Sequence, residues 1–259
     1  MSDGGPVRPT HRPEAGAPNP YSPPAAPIDL GGAPVVSTGG FKSALPQANA
    51  VVVVMALYVL AEVMVSINAF VAISVMKGVL NGETFDQAQW AVIDSRTRML
   101  GVLLEVVWLA GIVAFCVFMP RANKNARAFM APLSNSPGWA AGWFFVPIVY
   151  LWKPYYAMKE IWQGSDPDPA VDASNAPVSP LLALWWWMYL AFFACRGIFG
   201  AASQEAPGRE SFVAMEKMRI GISVITILAA FLAAAVVRRL ALRQEERQRR
   251  LTARAGAAP

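Results

Sequence analysis

Long apolar blocks with almost no charge restrict the fold of this chain more than any other feature of its sequence. The first block runs from about Ala48 to Met76 and exceeds the roughly 20 residues that a helix needs to cross the hydrocarbon of a bilayer. Three more blocks lie at about 99–119, 180–201 and 218–237. Only 15% of the residues are charged, against about 25% in soluble domains. The sequence therefore predicts an all-α membrane protein with four transmembrane helices.

One further apolar stretch is shorter than a transmembrane helix requires. Residues 138–152 are followed by Lys153 and Pro154, so the stretch is about 15 residues long. Pro147 and Pro154 each remove a backbone donor and disfavour a continuous helix. We predict a Trp- and Pro-rich hairpin over residues 138–163, either re-entrant or interfacial, whose second half is an amphipathic surface helix. Five transmembrane helices are the alternative.

Two tails are expected to flank the membrane domain, which we delimit as residues 48–240. Residues 1–47 contain ten of the 21 prolines, and we predict a disordered cytoplasmic tail. Nothing apolar begins before about residue 50, so no signal peptide is expected. Residues 241–259 form a basic tail that should lie on the anionic lipid of the inner leaflet. The expected lipid contacts are Arg238, Arg239 and Arg243.

The basic residues also predict the orientation. The basic C-terminus is expected in the cytoplasm of a bacterial cell, with the chain crossing the inner membrane several times. With four spans, the basic segment from Arg121 to Arg127 also lies inside, whereas five spans would place it outside. Thr84 and Gln87 have the spacing of a capping box, which predicts that the second helix begins near Phe85. It should enter the membrane near Met99 and leave it at Met119.

Polar residues within the apolar blocks are candidate functional residues, because charges inside a bilayer are rare. Glu105 and Arg196 lie at similar depth in the four-span arrangement, and we predict that they form an ion pair. Glu62 has no evident partner at its depth, although Asn68 could line a polar seam with it. These residues have two possible roles. They could fix the contacts between helices, or they could form a pathway for protons or ions.

The sequence offers little evidence for a catalytic, metal-binding or nucleic-acid-binding site. His11 is the one histidine, and the two cysteines lie in apolar blocks. We therefore predict no catalytic, cofactor-binding or metal-binding residue and no cofactor. Nucleic acid is not expected as a partner, because the arginines of the tail are not accompanied by aromatic side chains on which bases could stack. Enzymatic activity is left open but not favoured.

A motif of aromatic, proline and glycine residues carries a family resemblance. The segments Ser136-Pro-Gly-Trp, Gly142-Trp, Val146-Pro and Leu151-Trp-Lys-Pro-Tyr resemble domain-of-unknown-function family 4328, a group of bacterial polytopic membrane proteins. The resemblance would cover roughly residues 50–240, and it implies a membrane protein without implying an activity. The residues that carry it are Arg121, Asn125, Pro137, Gly138, Trp139, Gly142, Trp143, Pro147, Trp152, Pro154 and Tyr155.

Two hypotheses for function follow. The first is a non-enzymatic membrane component that binds a protein or lipid partner, or a second copy of itself, through the hairpin and the tails. The second is a small transporter or channel that uses Glu62, Asn68 and Glu105. A polar cavity reaching Glu62 would favour transport, and a dry, tightly packed core would favour partner binding.

Overall fold

The computed structural model describes residues 40–203 and 208–257, which are helical and contain no strand. Residues 1–39 of the predicted N-terminal tail therefore lie outside the described residues. Four helices are long and apolar enough to cross a membrane, which confirms the four-span, all-α prediction. The elements are α1 (Leu45–Leu80), α2 (Gln87–Ala128), α3 (Pro137–Gly142), α4 (Lys153–Gly164), α5 (Pro180–Ala202) and α6 (Arg209–Gly256).

The helix pairing determines where space remains inside the bundle. Helix α1 packs along both α6 and α2, and α5 packs on α6, whereas α2 and α5 contact each other little. The larger core cluster lies where α1 and α5 begin and α2 ends. We call this the hairpin end of the bundle. A smaller cluster of Ile73, Met76 and Val213 lies at the opposite end. A gap therefore remains between α2 and α5.

Helix α2 begins later than predicted and extends beyond its apolar part. Its N-cap is Asp86, whose side chain accepts the backbone N–H groups of Ala88 and Gln89, so the predicted start at a Thr84 capping box is wrong. Beyond its apolar part, which ends at Met119, the helix continues through Pro120 to Ala128. The tertiary contacts that bury one face of this last segment outweigh the local penalty of the proline. The buried residues of this face are Ala122, Asn123, Asn125 and Ala126.

The hairpin consists of α3, α4 and two 3₁₀ turns, Trp143–Phe145 and Val149–Leu151. Pro147 and Ile148 form its tip, where the N–H of Val149 donates to the carbonyl of Pro147 at 2.6 Å. Ile148 has φ of 65° and ψ of −49°. These angles are close to those of a strained γ-turn. A β-branched residue rarely adopts them, so the chain reverses at a strained residue.

The hairpin enters and leaves the bundle at the same end. The ring of Tyr150 lies 6.2 Å from that of Phe193, which is 13 residues after Pro180. At 1.5 Å per residue this contact is about 20 Å along α5. At the other end of the segment, a Cβ added to Gly164 would lie 2.6 Å from that of Ala131, just after α2. The segment is therefore re-entrant with respect to the helices, and no fifth spanning helix is found in the described residues.

Candidate functional site

An apolar cavity of about 290 Å³ lies among four helices and the hairpin. We call it the aromatic cavity, after the aromatic side chains that line it. These come from α1, α2, α5 and the hairpin. They are Tyr58, Trp108, Phe115, Phe144, Phe145, Trp185, Tyr189, Phe192 and Phe193. Small residues of α6 and α2 form part of the remaining wall, namely Ala229, Ala230, Ala233 and Gly111.

Two sequence patterns produce this space. The aromatic residues of α5 recur at helical spacing and cover one face of that helix. The alanines on α6 extend too little to fill the gap that those rings face. Because α2 and α5 contact each other little, the hairpin packs between them through Phe144, which contacts Phe115 of α2 and Tyr189 of α5.

The hairpin supplies one wall of the aromatic cavity. The ring of Phe144 packs edge-on against Phe115 at 5.1 Å and against Tyr189 at 5.8 Å. The neighbouring Trp143 is held in place, because its indole N–H donates to Asn135 at 2.7 Å. Trp139 packs on Trp143 at 4.5 Å between ring centres. The position of Phe144 therefore depends on contacts at the base of the hairpin.

A partly buried polar cluster fixes that base. Arg127 donates to the carbonyls of Leu133 and Asn135 at 3.0 and 2.7 Å and to the side chain of Asn123 at 3.0 Å. Glu160 on α4 accepts from Asn135 and from Ser134. Since Asn135 also accepts from Trp143, it connects the end of α2 to both arms of the hairpin.

A second set of polar contacts ties α6 to the same base. Asn125 donates to the side-chain oxygen of Gln244 at 2.9 Å. The amide nitrogen of Gln244 donates to Ser165 at 2.9 Å and to the carbonyl of Ala122 at 2.8 Å. Asn125 and Gln244 are both fully buried. We call the two sets together the polar anchor: Asn123, Asn125, Arg127, Asn135, Glu160, Ser165 and Gln244.

The other residues of the motif have more local roles. Pro137 and Pro154 occupy the first turns of α3 and α4. A Cβ on Gly142 would lie 3.1 Å from the ring of Trp139, while one on Gly138 would meet open space. Tyr155 lies 6.2 Å from Trp186 on α5. Trp152 is partly exposed and Arg121 is half-buried.

The predicted ion pair of Glu105 and Arg196 is present and joins α2 to α5. The guanidinium of Arg196 also lies 5.3 Å from the centre of the Trp108 ring. Arg196 follows Phe193 by about one helical turn, and Glu105 precedes Trp108 by about one turn. The pair therefore bridges the two helices immediately beyond the aromatic cavity.

Glu62 has a partner that the sequence did not reveal. The hydroxyl of Ser223 on α6 donates to its carboxylate at 2.7 Å, and Tyr58 lies one helical turn before it on α1. Asn68 instead donates to Thr97 on α2 at 2.9 Å. The two residues thus hydrogen-bond to different helices, and no hydrogen bond joins them in the part of the chain that the structure describes. Glu62 does not line the aromatic cavity, although Tyr58 does.

The arginines of the tail lie on a continuous helix, since α6 extends to Gly256. Arg238 donates to Asn49 of α1 at 3.1 Å, and Arg243 pairs with Asp166 at 2.9 Å. Arg239 is exposed. Among the described residues, no group of three or more His, Cys, Asp or Glu side chains could hold a metal ion.

Comparison with known families identifies the family of this chain. Residues 81–241 match a domain of unknown function, DUF4328, over more than half of the chain. The chain belongs to the DUF4328 family. The match contains α2, the hairpin, α5 and α6 as far as Ala241, whereas α1 precedes it, so the expected extent of 50–240 was too long at its start. Neither a curated protein nor a solved structure matches the chain.

Proposed function

We propose that this DUF4328 protein is a non-enzymatic membrane protein that binds the hydrocarbon chain of a membrane lipid in the aromatic cavity. The observation that carries the proposal is the cavity itself, which is apolar, lies among the spanning helices and is bounded on one side by the hairpin. Because the spanning helices surround it, a lipid chain would enter the cavity from within the bilayer. The hairpin would then act through Phe144 and Phe145.

Physical chemistry favours a lipid as the occupant. An apolar cavity does not stabilise water. An empty cavity would forfeit the dispersion contacts of the rings that line it. Transfer of a lipid chain from the bilayer brings no hydrophobic gain, because both environments are apolar. Binding would therefore derive from close packing against rigid aromatic rings, and it should depend on the shape of the cavity.

We further infer that the protein lies in the bacterial inner membrane with the hairpin end in the cytoplasm. Basic residues support this orientation, because they concentrate at that end of the bundle. They include Arg121, Lys124 and Arg127 on α2, besides the arginines of α6 from Arg238 onward. The C-terminus lies at the same end as the hairpin.

Transport is a second proposal, and one contact favours it. Tyr58 lines the aromatic cavity and lies one helical turn before the buried Glu62 on α1, so an occupant of the cavity would lie near a carboxyl group. The geometry gives this proposal less support, because Glu62, Asn68 and Glu105 are each bonded to a protein partner. Proton uptake into liposomes that is abolished by Glu62→Gln would support it, and equal uptake with the variant would count against it.

Lipid binding can be tested by filling the aromatic cavity. Ala233→Phe adds a ring to a residue that lines it, and Ala110→Phe adds the same ring to an exposed position on α2. Native mass spectrometry of the detergent-purified protein would measure the lipid that remains bound. We expect Ala233→Phe to retain about tenfold less lipid, equivalent to about 1.4 kcal/mol, and Ala110→Phe to match the wild type. Equal lipid in both variants, or none in the wild type, would contradict the proposal.

A further inference from the structure

A second concave surface lies at the hairpin end, away from the aromatic cavity. It is a groove of about 620 Å³ between α4, the start of α5 and the late part of α6. Both apolar and charged side chains line it. The residues used below are Trp162, Ser179, Arg239, Leu242, Arg243 and Glu246.

Two arginines one helical turn apart give the groove its donors. Arg239 is exposed and makes no ion pair within the described residues. Arg243 is held firmly, since it pairs with Asp166 at 2.9 Å and its guanidinium lies 4.7 Å from the centre of the Trp162 ring. The Nε of Arg243 and the indole N–H of Trp162 are both buried and have no hydrogen-bond partner in the described residues. The groove thus combines a fixed guanidinium with a free one.

The acidic groups nearby are already matched by other arginines. Glu246 also lines the groove, but it bonds Arg250 at 2.7 Å and lies 3.8 Å from Arg249. Asp166 accepts from Arg243 through one oxygen and from the backbone N–H of Asp168 through the other. The charge of Arg239 remains without a counter-ion among these groups. Arg239 is therefore available to pair with a bound anion.

We propose that this groove binds the phosphate of an anionic lipid head group. Guanidinium groups match phosphate oxygens through paired N–H donors. The positive end of the α5 dipole lies beside the groove, because Ser179 and Pro180 form part of its wall. A lipid is favoured over a soluble phosphate because Leu242 and Trp162 give the groove an apolar side. Its place beside the start of spanning helix α5 would bring it to the level of the head groups.

The experiment compares two neighbouring arginines with the same change of charge. The full-length protein would be reconstituted in nanodiscs of phosphatidylcholine with a minor share of phosphatidylglycerol. Native mass spectrometry would then give the ratio of the two lipids retained. We expect Arg239→Gln to lower the enrichment in phosphatidylglycerol about fivefold, the effect of about 1 kcal/mol for one basic side chain. Arg238→Gln, whose side chain bonds Asn49 instead, should leave the enrichment unchanged.

Each outcome has a definite meaning. Equal losses in the two variants would show a diffuse surface charge and would overturn the proposal. In a second arm, inorganic phosphate is added to discs of phosphatidylcholine alone, and the thermal midpoint is measured. Stabilisation there that Arg239→Gln removes would identify a soluble anion as the ligand and overturn the assignment to lipid. Trp162→Phe keeps the stacked ring but removes the unpartnered N–H, and a reduced enrichment in this variant would support the indole as a ligand.

Discussion

Replacement of Gln244 by leucine tests whether the polar anchor holds α6 against the base of the hairpin. Gln244 is 0% exposed and makes hydrogen bonds to Asn125, Ser165 and the carbonyl of Ala122. Leucine has a similar size but cannot make these bonds, and it leaves the amide N–H of Asn125 without an acceptor. A net hydrogen bond contributes about 1 kcal/mol, and an unsatisfied buried donor costs about 1–3 kcal/mol. Since the leucine regains some apolar contact, we expect a loss of about 2–3 kcal/mol.

The matched control is Gln248→Leu, one turn further along α6. Gln248 makes a long, exposed hydrogen bond to Thr252 at 3.4 Å, so its replacement should have little effect. For a chain of this size, 1 kcal/mol shifts the thermal midpoint by about 2–4 °C. Gln244→Leu should therefore lower the midpoint by about 5–10 °C in detergent, measured by tryptophan fluorescence. Equal midpoints for the two variants would refute the idea that the polar anchor stabilises the fold.

Two further predictions concern other contacts of the site. Glu105→Gln should lower the thermal midpoint because it leaves the charge of Arg196 unpaired within the spanning helix α5, and adding Arg196→Gln should restore part of the loss. A double variant less stable than the single one would contradict that pairing. Trp143→Phe should cost about 1 kcal/mol because it removes the donor to Asn135, whereas Trp139→Phe, at a partly exposed ring, should cost less. Equal losses would show that the bond to Asn135 does not hold the hairpin.

The spanning helices could be predicted from the sequence because their length and apolar character are local properties. The pairing of Glu105 with Arg196 was also predictable. Once the number of spans is known, counting residues from the end of each span gives the depth of each side chain in the membrane, and the two depths are similar. The end of α2 was not predictable in this way. Pro120 is a strong local stop signal, and the contacts that extend the helix beyond it come from α6, far along the chain.

The candidate site could be predicted from the sequence only in part, for a related reason. The motif indicated the hairpin, but a cavity is the volume that side chains fail to fill, and it depends on which helices face each other. The partner of Glu62 was missed because Ser223 is a small residue with no distinctive pattern around it. Gln244 lies in a basic segment that resembles a solvated tail, yet it is fully buried because α6 continues beyond the apolar block and packs beneath the hairpin.

The re-entrant path of the hairpin is the central claim, because the aromatic cavity, the polar anchor and the groove all depend on it. Single cysteines at Lys124, Ser174 and Asn81, all exposed, would be labelled with an impermeant thiol reagent in intact and in opened cells, after Cys116 and Cys195 are replaced. The account predicts that Lys124→Cys and Ser174→Cys react from the same side of the membrane and Asn81→Cys from the other. Labelling of Lys124→Cys and Ser174→Cys from opposite sides would contradict it.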